Sequence, residues 1–211
     1  MDGVLTDTVE LHYRSFKRLA MEEKVPFNRE INERLRGLSR EDSLAVLFNK
    51  RVLSRAELQR LMERKNEYFL ELAAAMNSGD LLPGVKELLD LIKERGFKLG
   101  LASSSKNAKY IIEKLAIESY FDSISDGNDV KQAKPAPDLF LHAAARLKVE
   151  PSACVVVEDA AAGIKAAREA GMTVIGIGPE ERVGAADFRF DSIADIDLER
   201  VLREIENRKG N

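Results

Sequence analysis

The first eight residues of the chain bring together side chains that can bind a cation or carry a proton. This stretch contains two carboxylates, from Asp2 and Asp7, together with one glycine and two threonine hydroxyls. Like charges this close are costly unless a cation, a proton or a hydrogen-bond donor compensates them. A loop of this kind is typical of the carboxyl end of a buried strand. The sequence therefore predicts a site here, although the strand expected to carry it is missing from these 211 residues.

Polar side chains also follow strand-like segments farther along the chain. The serines at 103–105 come after the apolar run 97–102, Glu158 and Asp159 come directly after a valine-rich run, and Lys134 precedes a proline-led helix start. In an open parallel sheet, ligands bind beyond the carboxyl ends of the strands, so these groups are expected to meet there. Carboxylates suit a hard cation such as Mg²⁺, while lysine and hydroxyl donors offset the charge of a phosphoryl group. The set therefore predicts a site for Mg²⁺ and a phosphate.

Each of these residues also has a structural explanation. Serines after a strand form turns, Lys134 can be an ordinary loop lysine, and His12 can be a satisfied core or interface histidine. The adjacent acids Glu158 and Asp159 are harder to explain in this way, because uncharged residues make a strand end polar at less cost. The joint occurrence of these groups in one chain, in this order, favours a functional site over independent structural roles.

The pattern of apolar residues changes once along the chain and indicates an α/β fold. Residues 8–81 have the pattern of a continuous helical segment, with Lys65 on the apolar stripe of its last part. From Leu82 onward, short apolar strands alternate with amphipathic helices, which implies a parallel sheet with helices on both faces. We therefore predict a Rossmann-like parallel-sheet core at 1–7 and 82–211, with an inserted helical cap domain at 8–81.

Composition and charge exclude several classes of function. The chain is 45% hydrophobic and 33% charged with a net charge of -3, which indicates a globular protein with no basic surface for nucleic acid. No apolar run approaches the roughly 20 residues that a membrane helix needs, and no charged-then-apolar leader opens the chain. The single cysteine, Cys154, excludes an internal disulfide and is expected to be a small buried hydrophobe. We therefore expect a cytoplasmic protein without nucleic-acid or membrane partners.

Six stretches of the sequence carry a resemblance to a known family. They are residues 2–8, 37–43, 64–66, 101–107, 134–138 and 157–159. Together they resemble the beta-phosphoglucomutase family of the haloacid dehalogenase-like superfamily, and the resemblance covers essentially the whole chain. The serine, Lys-Pro and Glu-Asp motifs mark the superfamily, whereas the Gly-Leu-Ser-Arg and Ser-Lys-Asn stretches are similar to the mutase branch.

The resemblance implies a Mg²⁺-dependent phosphoaspartyl mechanism on a phosphosugar. The implied reaction interconverts beta-glucose 1-phosphate and glucose 6-phosphate through a bisphosphate. Asp2 matches the family's general acid/base, which also gives a main-chain carbonyl to the metal. Glu158 and Asp159 match the remaining protein ligands of the metal, and Ser103 and Lys134 match the clamp on the transferred phosphate.

The resemblance also implies a set of residues for the second phosphate and the sugar. This substrate-binding set is His12, Gly37, Leu38, Arg40, Lys65, Ser104, Ser105, Lys106 and Asn107. A mutase holds two phosphates while it excludes water, so a basic cap that faces the cleft suits the task. The planar guanidinium of Arg40 in particular suits a bidentate grip on a phosphate.

The nucleophilic aspartate of the family has no counterpart in the sequence. It lies two residues before the general acid/base, so Met1 fills the spacer and the nucleophile would be the residue that precedes Met1. One account is that the gene start was placed at an internal methionine, and that the working protein is longer by a strand and an aspartate. The other account is that this chain is the true product and cannot form an aspartyl phosphate. We favour the first account and expect the chain as given to be inactive or nearly so.

Two other functions stay open on the sequence. A sugar-phosphate phosphatase of the same superfamily would use water in place of a sugar hydroxyl, and a non-catalytic phosphosugar-binding protein would bind without turnover. Generic nucleotide binding is disfavoured, because the chain has no Gly-x-x-x-x-Gly-Lys-Ser/Thr loop. In each case we expect a monomer whose partner is a small phosphosugar.

Overall fold

A computed structural model describes residues 1–36, 38–49 and 51–209 of the chain. A block of helices comes first, and short parallel strands alternate with helices over the rest of the chain. This architecture confirms the predicted α/β class, with a parallel-sheet core and an inserted helical cap. The predicted domain boundaries stay a prediction.

Four helices form the block that precedes the strands: α1 (Val9–Glu22), α2 (Arg29–Arg34), α3 (Arg40–Leu47) and α4 (Arg55–Ala73). The prediction of one continuous helical segment was therefore wrong. The last three helices each begin after a side chain, from Asn28, Ser39 and Ser54, that accepts a hydrogen bond from a main-chain N–H of the first turn. These caps satisfy N–H groups that a helix start leaves unpaired, which stabilises separate helices with turns between them.

The cap helices have an apolar core of their own. α4 is the longest of the four and packs along α1, so that the two bury their apolar stripes against each other. The buried members of this cap cluster are Phe16, Leu19, Ala20, Leu35, Leu44, Leu47, Phe48, Leu61 and Tyr68. Because these residues pack mainly on one another, the cap has its own packed interior above the sheets.

The elements of the core follow in sequence order. They are α5 (Val85–Glu94), β1 (Gly100–Ala102), α6 (Ala108–Lys114), β2 (Ser123–Ser125), α7 (Asp138–Leu147), β3 (Val155–Glu158), α8 (Ala161–Glu169), β4 (Thr173–Ile177), α9 (Glu180–Val183), β5 (Phe188–Phe190) and α10 (Leu198–Lys209). β1 pairs with β2, and a second sheet has the order β3-β4-β5, with every pair parallel. In the part of the chain that the structure describes, β1 and β3 are each paired along one edge only.

The register of the strands brings apolar residues into two clusters beneath the sheets. Val156 pairs with Val174, and Ile175 pairs with Phe188, so that β4 lies buried between its neighbours. One cluster joins Leu101 of the first sheet to Ile175 of the second and to residues from the end of α4. Since parallel strands all point the same way, this packing aligns the carboxyl ends of β1 and β3 at one edge of the core.

The loop at the start of the chain is fixed against the segment that follows the cap. Thr6 forms one bridge with Asp2 and another with Leu81, and its hydroxyl donates to the carbonyl of Asp80 at 2.6 Å. The N–H of Leu82 donates to the carbonyl of Leu5 at 3.0 Å. These bonds hold the first residues at the base of the cap, which is where the predicted site requires them.

Candidate active site

A cavity of about 160 Å³ lies between the cap helices and the carboxyl ends of β1 and β3. Most of the residues predicted for the site line it: Asp2, His12, Leu38, Arg40, Lys65, Ser103, Ser104, Ser105, Asn107, Lys134, Glu158 and Asp159. Lys106 does not belong to the lining, and its side chain is exposed. Gly37 lies outside the described residues. Cap and core thus each contribute one wall, and the polar groups of both walls face one space.

Glu158 ends β3 as a buried carboxylate with several partners. The ammonium of Lys134 lies 2.8 Å from its Oε2, and its Oε1 accepts the N–H groups of Asp159 and Ala160 at 3.2 and 3.1 Å. Burial alone would raise the pKa of Glu158, but the charge and hydrogen bond of Lys134 outweigh burial and leave that pKa below its usual value. Glu158 is therefore held as an anion at the sheet edge.

Lys134 connects the ends of the two sheets. Besides the pair with Glu158, its Nζ lies 3.5 Å from the carbonyl oxygen of Ala102, the last residue of β1, and 4.4 Å from the ring centre of Phe140. The side chain is 7% exposed. A buried cation at this place can meet the charge of a phosphoryl group in the cavity, because the surrounding apolar contacts leave little water to screen it.

The next residue, Asp159, pairs with a cap residue that sequence reasoning missed. Arg36 follows α2, and its Nε and Nη2 both donate to Oδ2 of Asp159, the Nε bond at 2.9 Å. Burial raises the pKa of the Asp159 carboxyl above its usual value, and the adjacent Glu158 charge adds to this, while Arg36 offsets only part of the rise. The pair joins residues 123 positions apart, so no local pattern in the sequence could have indicated it.

The loop at the start of the chain comes close to Asp159 at its glycine, Gly3. Gly3 has a φ of +70°, and a Cβ on it would lie 2.1 Å from Oδ2 of Asp159. No other residue type fits this approach, since a side chain would collide and would also strain the backbone. The carboxylate of Asp2 accepts a hydrogen bond from the hydroxyl of Thr8, which fixes its orientation at the cavity wall.

The cap wall carries a cluster of buried bases. Nζ of Lys65 lies 2.7 Å from Nδ1 of His12, and the ring of His12 stacks on Phe69 with a centroid distance of 4.5 Å. Burial lowers the pKa of Lys65 to about 7 and that of His12 well below its usual value, and the charge of Arg40 adds to both effects. Such a cluster is costly without an anion beside it, and an anion in the cavity would relieve that cost.

Arg40 and two asparagines link the cap to the core across the cavity. Nη2 of Arg40 donates a hydrogen bond to Oδ1 of Asn107 at 3.3 Å, and Nδ2 of Asn107 donates to Oδ1 of Asn66 at 2.8 Å. Asn66 lines the cavity beside Lys65 but was missed as a site residue, although it stands in one of the six stretches that carry the resemblance. These groups together offer several donors and acceptors to a polyhydroxyl ligand.

The serines after β1 form a turn that leaves donors available. The hydroxyl of Ser103 accepts the N–H of Ser105 at 3.1 Å, and the hydroxyl of Ser105 accepts the N–H of Asn107 at 3.2 Å. Each hydroxyl still has its own proton to donate. Oγ of Ser104 is buried and has no hydrogen-bond partner among the described residues, so a ligand in the cavity would be its first partner.

The chemistry of the donor set fits a Mg²⁺ ion in part. Two adjacent buried carboxylates on a sheet edge suit a hard cation, and burial together with the neighbouring charge of Glu158 raises the pKa of Asp159. Among the described residues there is no group of three or more histidine, cysteine or acidic side chains that could hold a metal ion. The remaining ligands would therefore be main-chain carbonyl, phosphate and water oxygens.

Comparison with known proteins identifies relatives along the whole chain. Residues 1–177 match the family described as haloacid dehalogenase-like hydrolase. The chain is 42% identical over 210 residues to a beta-phosphoglucomutase of Bacillus subtilis, covering 98% of this chain and 93% of that protein. It is 31% identical over 209 residues to a phosphorylated carbohydrates phosphatase of Thermotoga maritima, covering 96% and 94% of the two chains.

A solved structure of a relative has the same fold. The crystal structure of a beta-phosphoglucomutase from Clostridium difficile superposes with a TM-score of 0.95 at 36% identity, covering 100% of this chain and 96% of that one. No described helix is long and apolar enough to cross a membrane. The predicted resemblance is therefore confirmed, and the chain belongs to the haloacid dehalogenase-like hydrolase family.

Proposed function

We propose that the protein catalyses Mg²⁺-dependent phosphoryl transfer on a phosphosugar and interconverts beta-glucose 1-phosphate and glucose 6-phosphate through a bisphosphate. The proposal rests on one observation: cationic side chains lie on both walls of the same cavity. Arg40 and Lys65 lie on the cap wall, and Lys134 lies on the core wall. A sugar that carries a phosphate at either end needs both. The similarity to beta-phosphoglucomutases over nearly the whole chain supports the same reaction.

The cap wall would hold the phosphate that is not being transferred. The guanidinium of Arg40 can donate two parallel hydrogen bonds to it, and Lys65 regains its charge when a phosphate dianion lies beside it. Asn66 and Asn107 are placed to bind sugar hydroxyls, because their amide groups both donate and accept. Binding at this wall would leave the other end of the sugar at the carboxyl ends of the strands.

The core wall would hold the transferred phosphate. Ser103 offers its hydroxyl proton, Lys134 offers its ammonium, and Ser104 has a buried hydroxyl without a partner among the described residues. These fixed donors stabilise the charge that develops on the phosphoryl oxygens, and they need no reorganisation when the reaction occurs.

Asp2 would move the proton. During transfer to the sugar, its carboxylate would take the proton of the attacking hydroxyl as the new oxygen–phosphorus bond forms and the bond from phosphorus to the phosphorylated aspartate breaks. In the reverse direction, the same carboxyl returns the proton to the sugar oxygen as that bond breaks. The hydrogen bond from Thr8 keeps the carboxylate at the cavity wall in either direction.

Mg²⁺ would be held by the carboxylates of Glu158 and Asp159 and by the main-chain carbonyl of Asp2. When bound, the ion neutralises part of the charge on the phosphate oxygens. The groups that hold the two phosphates would position the substrate relative to the ion.

The attacking carboxylate of the family mechanism would stand one position before Met1. The proposal is therefore tested with two versions of the protein: the chain as given, and a version with an apolar strand followed by aspartate in front of Met1. Each is assayed for conversion of beta-glucose 1-phosphate to glucose 6-phosphate with Mg²⁺ and a trace of bisphosphate. We expect turnover in the extended version only, because the covalent route needs the nucleophile.

A sugar-phosphate phosphatase is the second candidate, since the chain also resembles a phosphorylated carbohydrates phosphatase. Release of inorganic phosphate from a sugar monophosphate, without any need for bisphosphate, would favour that reaction. If both versions lack turnover while beta-glucose 1-phosphate raises the melting temperature of the extended version, the chain is a phosphosugar-binding protein instead.

The proposed reaction fits a monomer in the cytoplasm. Cap and core of the same chain supply both walls of the cavity. Size-exclusion chromatography with light scattering tests the monomer, and fractionation of the source cells tests the compartment.

A further inference from the structure

A network of charged side chains joins the cap to the core at Asp159, outside the set of residues predicted to bind substrate. Arg36 on the cap donates two hydrogen bonds to one oxygen of that carboxylate. The side chain of Asp159 is 6% exposed and that of Arg36 is 21% exposed. An ion pair this sheltered from water is screened much less than a surface pair, so its formation has energetic consequences.

Two further residues complete the network. Nε of Arg182, on α9, donates to the main-chain carbonyl of Asp159 at 2.8 Å. Glu33 on α2 lies between the two arginines, with Oε1 at 3.3 Å from Nη1 of Arg182 and at 3.6 Å from Nη1 of Arg36. Arg182 of the core thus binds the main chain of Asp159, and Arg36 of the cap binds its side chain. We call Glu33, Arg36, Asp159 and Arg182 the Asp159 latch.

The latch uses the same carboxylate that the proposed function assigns to Mg²⁺. In the arrangement described, each acid of the pair already has a protein cation, Lys134 for Glu158 and Arg36 for Asp159. A divalent ion that approaches Asp159 would meet the charge of a guanidinium a few ångströms away, which opposes its binding. It would also have to share or displace two charge-assisted hydrogen bonds.

From this geometry we propose that Arg36 is a positioning residue that closes the cap onto Asp159 and competes with Mg²⁺ for that carboxylate. The inference rests on the proposed function, because it takes Asp159 as a metal ligand. In the substrate-free protein the latch holds the cap down while the metal is absent. Binding of Mg²⁺ weakens the latch and frees the cap, which opens the cavity to a phosphosugar.

Linkage makes this coupling reciprocal. If closure through Arg36 lowers the affinity for Mg²⁺, then Mg²⁺ must disfavour closure by the same factor. A salt bridge that only stabilises the closed cap makes a different prediction, because removing it would leave Mg²⁺ affinity unchanged or lower. The direction of the change in metal affinity therefore separates the two explanations.

The first experiment measures Mg²⁺ binding by isothermal titration without any substrate. We expect Arg36→Gln to bind Mg²⁺ about tenfold more tightly than the unmodified protein, since a hydrogen bond to a charged group contributes on that order. Arg36→Lys keeps the charge and loses the paired donors, so its affinity should lie between the two. Arg34→Gln is the matched control, because it removes the same charge from an exposed position at the end of α2, two residues before Arg36.

The second experiment measures the position of the cap by small-angle X-ray scattering. In EDTA, the unmodified protein should be compact and Arg36→Gln more open. Added Mg²⁺ should increase the radius of gyration of the unmodified protein and leave that of Arg36→Gln unchanged. Arg34→Gln should behave like the unmodified protein in both conditions.

Each other outcome contradicts the proposal. Equal or weaker Mg²⁺ binding by Arg36→Gln would overturn the competition, and equal compactness in EDTA would overturn the latch. Neither result bears on the proposed phosphoryl transfer, which is tested by turnover of the extended version. If no variant binds Mg²⁺ at all, the metal site itself is wrong, and the competition fails with it.

Discussion

Lys65 is a buried cation whose nearest polar partner is another base. The residue is 8% exposed, its Nζ bonds to Nδ1 of His12, and Nζ also lies 4.5 and 5.0 Å from the ring centres of Phe16 and Phe69. Burial lowers the pKa of Lys65 to about 7, Arg40 adds to that effect, and Asp2 opposes it. The side chain is therefore largely neutral above that pH until an anion enters the cavity.

Binding of glucose 6-phosphate is accordingly predicted to take up a proton at about pH 8.5, because the phosphate restores the charge of Lys65. Titrations in two buffers of different ionisation enthalpy measure the uptake. Lys65→Met should abolish it and weaken binding, whereas Lys109→Met, at an exposed position, should change neither. Proton uptake that persists in Lys65→Met would assign the effect to another group.

The same residue has a defined effect on stability. The pKa of Lys65 falls from 10.5 to about 7 on folding, so the unfolded chain binds more protons than the folded one between these values. Its unfavourable contribution is therefore complete below about pH 7 and disappears as the pH rises through that window. Lys65→Met should show a smaller rise in the free energy of unfolding over the window than the unmodified protein.

At the scale of elements, a capping box in the first turn stabilises the start of α4. The hydroxyl of Ser54 accepts the N–H of Glu57 at 3.3 Å, and the carboxylate of Glu57 accepts the N–H of Ser54 at 2.9 Å. This capping box satisfies two donors that would otherwise be unpaired at the helix start. α4 in turn carries Lys65 and Asn66 on the cavity wall, so the box fixes one end of the element that positions both.

Ser54→Ala is predicted to lower the free energy of unfolding by about 1 kcal/mol, the usual cost of losing an N-cap side chain. Urea denaturation followed by circular dichroism measures the change. Ser54→Asp is the control, because aspartate also caps well and should retain most of the stability. Equal destabilisation by both substitutions would mean that the capping bond is not the source of the effect.

Local patterns predicted the elements better than their ends. The predicted alternation of short strands with helices from Leu82 onward is present in the elements from α5 to α10. The run 97–102 was predicted as one strand, but only Gly100–Ala102 pairs, because pairing depends on where β2 lies. The cap was predicted as continuous helix because its apolar residues keep a helical spacing throughout, whereas the caps at Asn28, Ser39 and Ser54 divide it into separate helices.

For the site, local motifs predicted some residues, whereas contacts between distant segments were not predicted. Most predicted residues line the cavity, since a motif at a strand end has a fixed place in a parallel fold. Arg36 and Arg182 were missed because their roles depend on contacts between distant segments. Lys106 was included with its neighbours in the Ser-Lys-Asn stretch, yet its side chain is exposed, because a helix start turns successive residues to different sides.

At the scale of the molecule, cap and core meet in two different ways. At the base of the cap, Phe69 and Ala73 of α4 pack into the apolar cluster that contains Val4 and Leu5. Around the cavity the contacts are polar, as in the pairs Arg36–Asp159 and Arg40–Asn107. A phosphosugar can replace polar contacts at the mouth, while the apolar base stays packed as the fixed side of the movement.

The open edges of the two sheets support a last prediction about the whole molecule. In the described part of the chain, β1 and β3 pair along one edge each, and Lys134 reaches both strand ends. Met1 lines the same cavity as Ala102, the last residue of β1, and Glu158, the last residue of β3. An apolar segment of about five residues before Met1, the usual length of a strand, could therefore form main-chain hydrogen bonds with the open edges of both β1 and β3.

We expect such a segment to raise the free energy of unfolding by a few kcal/mol, since each ladder hydrogen bond adds about 1 kcal/mol net. The urea m-value should rise as well, because more surface is buried in the folded state. A segment of the same length with two prolines in its centre is the control, because proline cannot donate to a ladder. If both segments stabilise equally, the gain comes from apolar burial alone, and the two edges do not accept a strand.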